Sequence, residues 1–336
     1  MKTPNRLYRY RPLSDRDNLL ERELSALRDS YLYAPLFEQM NDPMEAFMPM
    51  GGDSDHIFDE VVKPLGLKTE DYYDGIRLLI QQFGLVSFSS THNYLPMWAY
   101  YASGFEGMCL EFDSERLAVG DFQNEHLSKV VYKREALPPL TIESVLRVPE
   151  DPHVKGELLK RLNRKRIEWK HEKEWRYVTG ASGKKHYLDD ALTRVYLGPR
   201  VKPDHATLVC EVLKNRPVEV MQGEIRGFEL HFETLQPAAP LAECERVGSG
   251  HFDPLKDLDP DGSLKAFMGE HYEHLLNECN ATALRPNMDG FAGAGVSPAN
   301  QRLMFLWSQF KLRSGRVVYH KRYFDRRFCL AKAPAN

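Results

Sequence analysis

Cysteine is scarce. Cys109, Cys210, Cys244, Cys279 and Cys329 are the five in 336 residues, too far apart for a CxxC pair, which excludes a disulfide scaffold and a cysteine zinc site and predicts reduced thiols. Long apolar runs are missing too: none approaches the roughly 20 residues that cross a bilayer. The opening Met1-Lys2-Thr3-Pro4-Asn5-Arg6 has no apolar stretch of the signal-peptide kind, so a cytoplasmic location with no membrane partner is expected. No glycine-rich loop follows any strand-like run, which speaks against a doubly wound parallel sheet. There is no internal repeat. Metal ligands are thin, since His271 and His274 stand at helical spacing without a third ligand. Asp257-Leu258-Asp259-Pro260-Asp261-Gly262 copies the first half of a calcium loop, but Met268 holds the twelfth position. A turn before a helix is expected there, and no metal is predicted.

With 42% hydrophobic residues the chain can bury a full core, and its length predicts one large domain plus an appendage. Apolar residues at helical spacing predict helices over Ser14 to Leu27, Thr69 to Phe83, Pro152 to Lys170 and Ser263 to Cys279, with a helical turn from Met97 to Ala102. Strands are expected at Arg6 to Arg11, Tyr31 to Tyr33, Leu85 to Ser89, Met108 to Phe112, Leu127 to Tyr132, around Glu172 to Tyr177, and at Val195 to Leu197, Val218 to Val220 and Phe228 to Phe232. Short strands interleaved with helices predict an α+β fold whose sheet is mixed and mainly antiparallel. The linker-like Gln236-Pro237-Ala238-Ala239-Pro240 divides a domain over 1–236 from an accessory region over 237–336.

Three of the strands carry chemistry. Side chains alternate along a strand, so Glu172, Glu174 and Arg176 are expected on one face and Trp175 and Tyr177 on the other. A carboxylate held near an anomeric carbon stabilises the positive charge that develops when a glycosidic bond breaks, a role that suits Glu174; its neighbour Glu172 could take a proton from the attacking group. The competing account is an exposed strand end with both glutamates paired to Arg176, Lys173 or Lys170. In Leu85-Val86-Ser87-Phe88-Ser89 two serines share a face, either for a hydrogen-bonding task or as a solvated edge before a turn. Near the start, Arg9 and Arg11 share a face and need a carboxylate or a phosphate for their donors.

The order Leu7-Tyr8-Arg9, Ser87-Phe88-Ser89, Glu172-Lys173-Glu174 resembles the Arg, Ser-Thr-Ser and Glu-x-Glu pattern of the ADP-ribosyltransferase superfamily, with 78 residues from Arg9 to Ser87 and 87 from Ser87 to Glu174. Phe88 stands where threonine is usual. Residues 7 to about 235 also resemble a widespread bacterial family through Tyr8-Arg9-Tyr10-Arg11, Asn41-Asp42-Pro43-Met44-Glu45, Ser87-Phe88-Ser89, Met97-Trp98-Ala99-Tyr100-Tyr101-Ala102, Gly107-Met108-Cys109-Leu110-Glu111-Phe112-Asp113 and Glu172-Lys173-Glu174-Trp175-Arg176. Members of that family look like abortive-infection and toxin proteins of phage defence. The resemblance implies an ADP-ribosyltransferase-like catalytic domain that uses NAD. Arg9 would contact its phosphates or adenine-side ribose, Ser87 would hold the nicotinamide-side ribose and fix the glutamate, Glu174 would stabilise the cation, and Glu172 would steer or deprotonate the acceptor. Tyr10, Arg11, Phe88, Ser89 and Trp98 complete the expected cofactor contacts, the rings either stacking on NAD or serving as core.

The last segment, Lys311 to Asn336, has eight basic residues against one acid, a net +7, which leaves −10 for the rest of a chain whose total is −3. Aromatic residues interleave with these charges, so Arg316, Lys321, Arg322, Arg326 and Arg327, together with Arg164 and Lys165 of an earlier basic run, are candidate nucleic-acid contacts. The alternative is an amphipathic strand pair with a solvated basic face. The expected activity is transfer of ADP-ribose from NAD to a macromolecule, DNA or RNA rather than protein, by a toxin or phage-defence effector with a possible cognate antitoxin. Two rivals are an NAD-independent nucleic-acid-binding or nuclease-type effector and a non-catalytic antitoxin or sensor.

Overall fold

Valine, tyrosine and phenylalanine favour extended backbone, and several of this chain's strands, Gly84–Ser89, Met108–Asp113 and Glu174–Thr179 among them, are buried along most of their length. A computed structural model describes residues 3–42, 44, 49–52, 55–66, 68–123, 125–141 and 152–334. The proposed landmark residues Pro43 and Glu45 lie outside the described residues. The chain is α+β with mostly antiparallel sheets and several helices, as expected. It divides into two compact units, the first formed by Met1–Tyr31, Asn93–Gln123 and His186–Asn336, the second by Leu32–His92 and Asn124–Lys185.

In the first unit, five strands lie in the order Glu229–Gln236, Glu219–Arg226, Leu192–Leu197, Met108–Asp113, Arg6–Arg11. Arg6–Arg11 runs antiparallel to Met108–Asp113, with Arg9 opposite Leu110 and Arg11 opposite Met108. One pair is parallel, Leu192–Leu197 with Glu219–Arg226, and the helix Pro203–Leu213 makes the crossover that a parallel pair needs. Tyr10, Trp98, Cys109, Tyr196 and Leu230 form a buried cluster on this sheet. The Trp98 ring meets Tyr10 edge-on at 5.3 Å and is fully buried.

Residues from 237 onward belong to this same unit rather than standing off as an appendage. A second antiparallel sheet, Met288–Val296, Leu303–Lys311, Val317–Asp325 and Leu330–Ala331 in that order, packs one face against the helices Ser263–Met268 and Tyr272–Ala283. It is tied to the rest of the unit by buried charge. Asp189 is fully buried, lies 3.0 Å from the Arg216 Nε, and accepts from Arg313 at 2.8 Å and from the Ser30 hydroxyl at 2.8 Å. Its neighbour Asp190 accepts from Arg285 at 2.6 Å and 3.1 Å.

Two predicted helices are interrupted. Gly269 adopts a positive φ of 56° and splits the expected Ser263–Cys279 helix in two. Ahead of it, Asp259 accepts from the Leu264 and Lys265 backbone N–H groups at 2.9 and 2.8 Å, so the calcium-like run serves as a helix-preceding turn. The basic helix expected over 152–170 covers only Pro152–Leu162, and Arg164–Arg166 is instead a strand parallel to Val131–Lys133. Asn163 ends the helix by donating its side-chain amide to the Leu159 carbonyl at 2.8 Å.

The second unit is built on Gly84–Ser89, Glu174–Thr179 and His126–Lys129, all antiparallel, in that order. Phe37, Ile80, Leu85, Leu158, Leu162 and Val178 make its core. The serine strand begins at a glycine because a Cβ on Gly84 would come within 2.7 Å of the Thr179 hydroxyl and 2.8 Å of the Ala181 carbonyl.

Candidate functional site

The two glutamates do not share a strand face. Glu172 ends a short 3-10 helix, Ile167–Glu172, and Lys173 takes a left-handed conformation with φ 48° before the strand opens at Glu174. That reversal rotates Glu172 out of the alternation on which the expectation rested. The two carboxylates nevertheless meet at one cation. The Lys165 ammonium lies 2.7 Å from Glu172 Oε2 and 3.4 Å from Glu174 Oε2, and all three side chains are buried. Lys165 reaches them because it is the inward residue of Arg164-Lys165-Arg166, a strand whose flanking arginines point the other way.

Glu174 has its own partner. Arg176, two residues along the same strand and completely buried, donates from Nε to Oε1 at 2.7 Å and from NH2 to Oε2 at 2.9 Å, a bidentate pair. The remaining guanidinium nitrogen donates to the Leu162 carbonyl at 2.8 Å. Ser87 lies opposite Arg176 in the strand pair, on the strand next to that of Glu174. Burial opposes ionisation of Glu174, but the charges of Arg176 and Lys165 and the hydrogen bonds from Arg176 outweigh it and hold the carboxyl well below the usual carboxylate range. The backbone is held as well, since the Glu174 N–H donates to the Tyr132 hydroxyl at 2.9 Å and the Val130 N–H donates to the Glu174 carbonyl at 3.0 Å.

Ser89 lies opposite Glu174 in the strand pair, and its buried hydroxyl donates to the Glu172 carbonyl at 2.8 Å, clipping the 3-10 helix to the sheet. Ser89→Ala leaves that carbonyl without its donor and is expected to lower stability by about 1–2 kcal/mol. The check is the midpoint of urea unfolding against wild type.

Beside this cluster is a pocket of about 240 Å³ whose lining includes Lys133, Arg134, Arg161, Arg164, Lys165 and Arg166, with Asp42 and Glu135 as its acids. Arg161 is buried and its Nε has no hydrogen-bond partner. Burial lowers the pKa of Arg161 against the opposing charge and hydrogen bond of Glu157. Neither glutamate lines the pocket; Lys165 belongs to both places. Six cations against two acids give the lining an excess of positive charge, although Lys165, Arg161 and Arg166 also face Glu172, Glu157 and Glu168.

The other predicted residues are placed as follows. Arg11 pairs with Glu23, Nε to Oε2 at 2.7 Å with a second bond from NH2 to Oε1, so its donors serve a carboxylate rather than a phosphate. Phe88, Trp98 and Tyr10 are core side chains in their respective units, because each ring is buried among apolar neighbours. Arg9 is half-buried in the first unit. Among the candidate nucleic-acid contacts, Lys165 is instead buried with the glutamates, the Arg164 guanidinium donates to the Glu135 carbonyl, Arg322 donates to Glu278 at 2.6 Å and Arg316 pairs with Asp121. The Arg326 guanidinium covers the Phe267 ring at 4.9 Å, and Arg327 is exposed. His271 and His274 stack at 5.8 Å, and no metal-binding group of three ligands occurs among the described residues.

Sequence reasoning missed Tyr132 and the true role of Lys165. A period of two through Val131-Tyr132-Lys133 and Arg164-Lys165-Arg166 was the available signal, and it was obscured by the helical reading of the basic run. Residues 97–177 match the model of a family described as a protein of unknown function, DUF2971. That span contains Lys165, Glu172, Glu174 and Arg176, and excludes Arg9, Ser87 and Ser89. No curated protein and no solved structure matches the chain.

Proposed function

We propose that the protein transfers ADP-ribose from NAD to a macromolecular acceptor, with Glu174 as the charge-stabilising carboxylate and an ADP-ribosyltransferase-like fold around it. The observation that carries this reading is the buried, ionised Glu174, which shares the Lys165 ammonium with Glu172 and lies on a strand paired with the one that carries Ser87 and Ser89. A carboxylate that stays ionised while buried is what the reaction requires. The bond from the ribose anomeric carbon to the nicotinamide nitrogen breaks, nicotinamide leaves with the bonding electrons, and the carboxylate faces the resulting cation. The acceptor's nucleophile then bonds to that carbon, and Glu172 takes its proton.

The basic pocket supplies the place for the phosphates. At about 240 Å³ it has room for the phosphate-bearing part of a dinucleotide, and the buried, unpartnered Arg161 Nε suits an anion. A phosphate there competes for Lys165, and withdrawing that ammonium frees the Glu172 oxygen that takes the acceptor's proton. Incubation of the protein with NAD labelled in the adenosine part and a cell lysate tests the reading. Label is expected in nucleic acid or protein with wild type and not with Glu174→Gln; equal labelling by the two proteins defeats it.

A second reading is favoured by one feature, the bidentate engagement of both Glu174 oxygens by buried Arg176. A carboxylate so occupied is a structural ion pair, and the chain is then an NAD-independent nucleic-acid-binding effector. Absence of labelling by wild type as well as by Glu174→Gln, together with nucleic-acid binding retained in both, selects it.

A further inference from the structure

The C-terminal sheet has one covered face and one bare face. Along Leu303–Lys311 and Val317–Asp325 burial alternates residue by residue. Met304, Leu306 and Phe324 pack with Leu264, Met268, Leu275 and Cys279 of the helices. The opposite face carries Phe305 across from Tyr323, Trp307 across from Lys321 and Gln309 across from Tyr319. Trp307 is 39% and Tyr319 42% exposed, large values for such rings on a sheet. Their centroids are 5.6 Å apart.

The neighbouring strand, Met288–Val296, places Gly295 beside Phe305 and Gly293 beside Trp307. A Cβ on Gly295 would touch the Phe305 ring at 3.4 Å, and nothing lies near one on Gly293. Glycine there sets no side chain beside Phe305 and Trp307. Lys321 stands among the rings, its ammonium 4.3 Å from the centre of Phe305, 5.4 Å from Trp307 and 5.5 Å from Tyr323. It forms no ion pair with a carboxylate among the described residues.

We propose that this face binds single-stranded nucleic acid, its bases stacking on Trp307 and Tyr319 and a phosphate pairing with Lys321. Flat exposed rings offer a π face to any base, and the unpaired ammonium among them supplies the charge that a phosphodiester complements. Arg313, Arg316 and Arg322 of this basic segment are paired with Asp189, Asp121 and Glu278, and Lys321 is the cation that stands among the rings. An apolar protein surface, by contrast, would bury Lys321 without a counter-charge, and a second copy of this face would set Lys321 against its own like. Duplexes keep their bases stacked within, so the platform discriminates against them. The inference is independent of the reading of the glutamate cluster, because it concerns binding and needs no NAD.

Fluorescence anisotropy of the full chain with labelled single strands of about 12 nucleotides, DNA and RNA, and with a matching duplex, tests it at low salt without NAD. Single strands are expected to bind more tightly than the duplex. Trp307→Ala and Tyr319→Ala are each expected to weaken binding roughly tenfold, and Lys321→Gln to reduce the slope of log affinity against log salt by about 1. Trp307 and Tyr319 are exposed, so circular dichroism should show both variants folded. The proposal is overturned if wild type does not bind single strands, if the duplex binds equally well, or if all three variants bind as wild type does. It is also overturned if the protein is a dimer that Trp307→Ala converts to a monomer, since a second copy then occupies the face.

Discussion

The Glu174→Gln variant is expected to transfer labelled ADP-ribose at least about a hundredfold more slowly than wild type, the loss that follows when one group aimed at developing charge is removed. The same substitution takes the anion away from two buried cations, Arg176 and Lys165, and leaving buried charge uncompensated destabilises by about 3–5 kcal/mol. Lost activity could therefore reflect lost folding, and a matched control separates the two. Asp189→Asn removes an equally buried anion, the partner of Arg216 and Arg313, within the first unit. At a temperature where both variants remain folded by circular dichroism, Asp189→Asn should retain transfer and Glu174→Gln should not. Comparable rates in Glu174→Gln and wild type would leave the carboxylate with a purely structural role.

Arg176→Met is expected to be among the most destabilising single changes in the second unit, about 3–5 kcal/mol, because it strands Glu174 in a buried setting with Lys165 alone at 3.4 Å and removes the donor to the Leu162 carbonyl. Its effect on acid stability has a definite sign. In wild type the Glu174 carboxyl titrates well below its unfolded value of about 4.3. The unfolded chain thus binds the extra proton first, and the stabilisation is complete above about pH 4.3 and is lost as the pH falls towards the folded value. Without Arg176, burial dominates and the carboxyl moves up, so that part of the acid sensitivity shrinks. Urea unfolding midpoints at neutral pH and through the acid range measure both effects. A variant as stable as wild type, or one with an unchanged acid profile, would show that the bidentate pair contributes little.

Much of the secondary structure was legible because local pattern decided it. The helix Thr69–Gln82 follows from apolar residues at helical spacing and a following glycine, and the strands at Arg6, Gly84 and Met108 follow from alternation. Misreadings occurred where two periods fit the same residues. Between 152 and 170 lysine and arginine suit a helix as well as a strand, and pairing with Val131–Lys133 settled the matter. The glutamate doublet looked like a strand alternation, and the left-handed Lys173 broke it. A non-glycine residue with positive φ leaves little trace in a single sequence.

Pairing of charges was the least legible property. Arg176 could be named in advance as a partner of Glu174 because it lies two residues along one strand. Lys165, nine residues earlier by number, could not, and neither could Tyr132. By itself the sequence determined the α+β composition, the strands that carry Ser87 and Glu174, and a basic, aromatic-rich end, since periodicity and charge are local quantities. Only the tertiary structure decided which cation lies on which carboxylate, which rings are core and which are bare, and that residues after 237 share a unit with the first strand. These are matters of who is nearest in space once long-range contacts close, and burial then sets how strongly each pair acts.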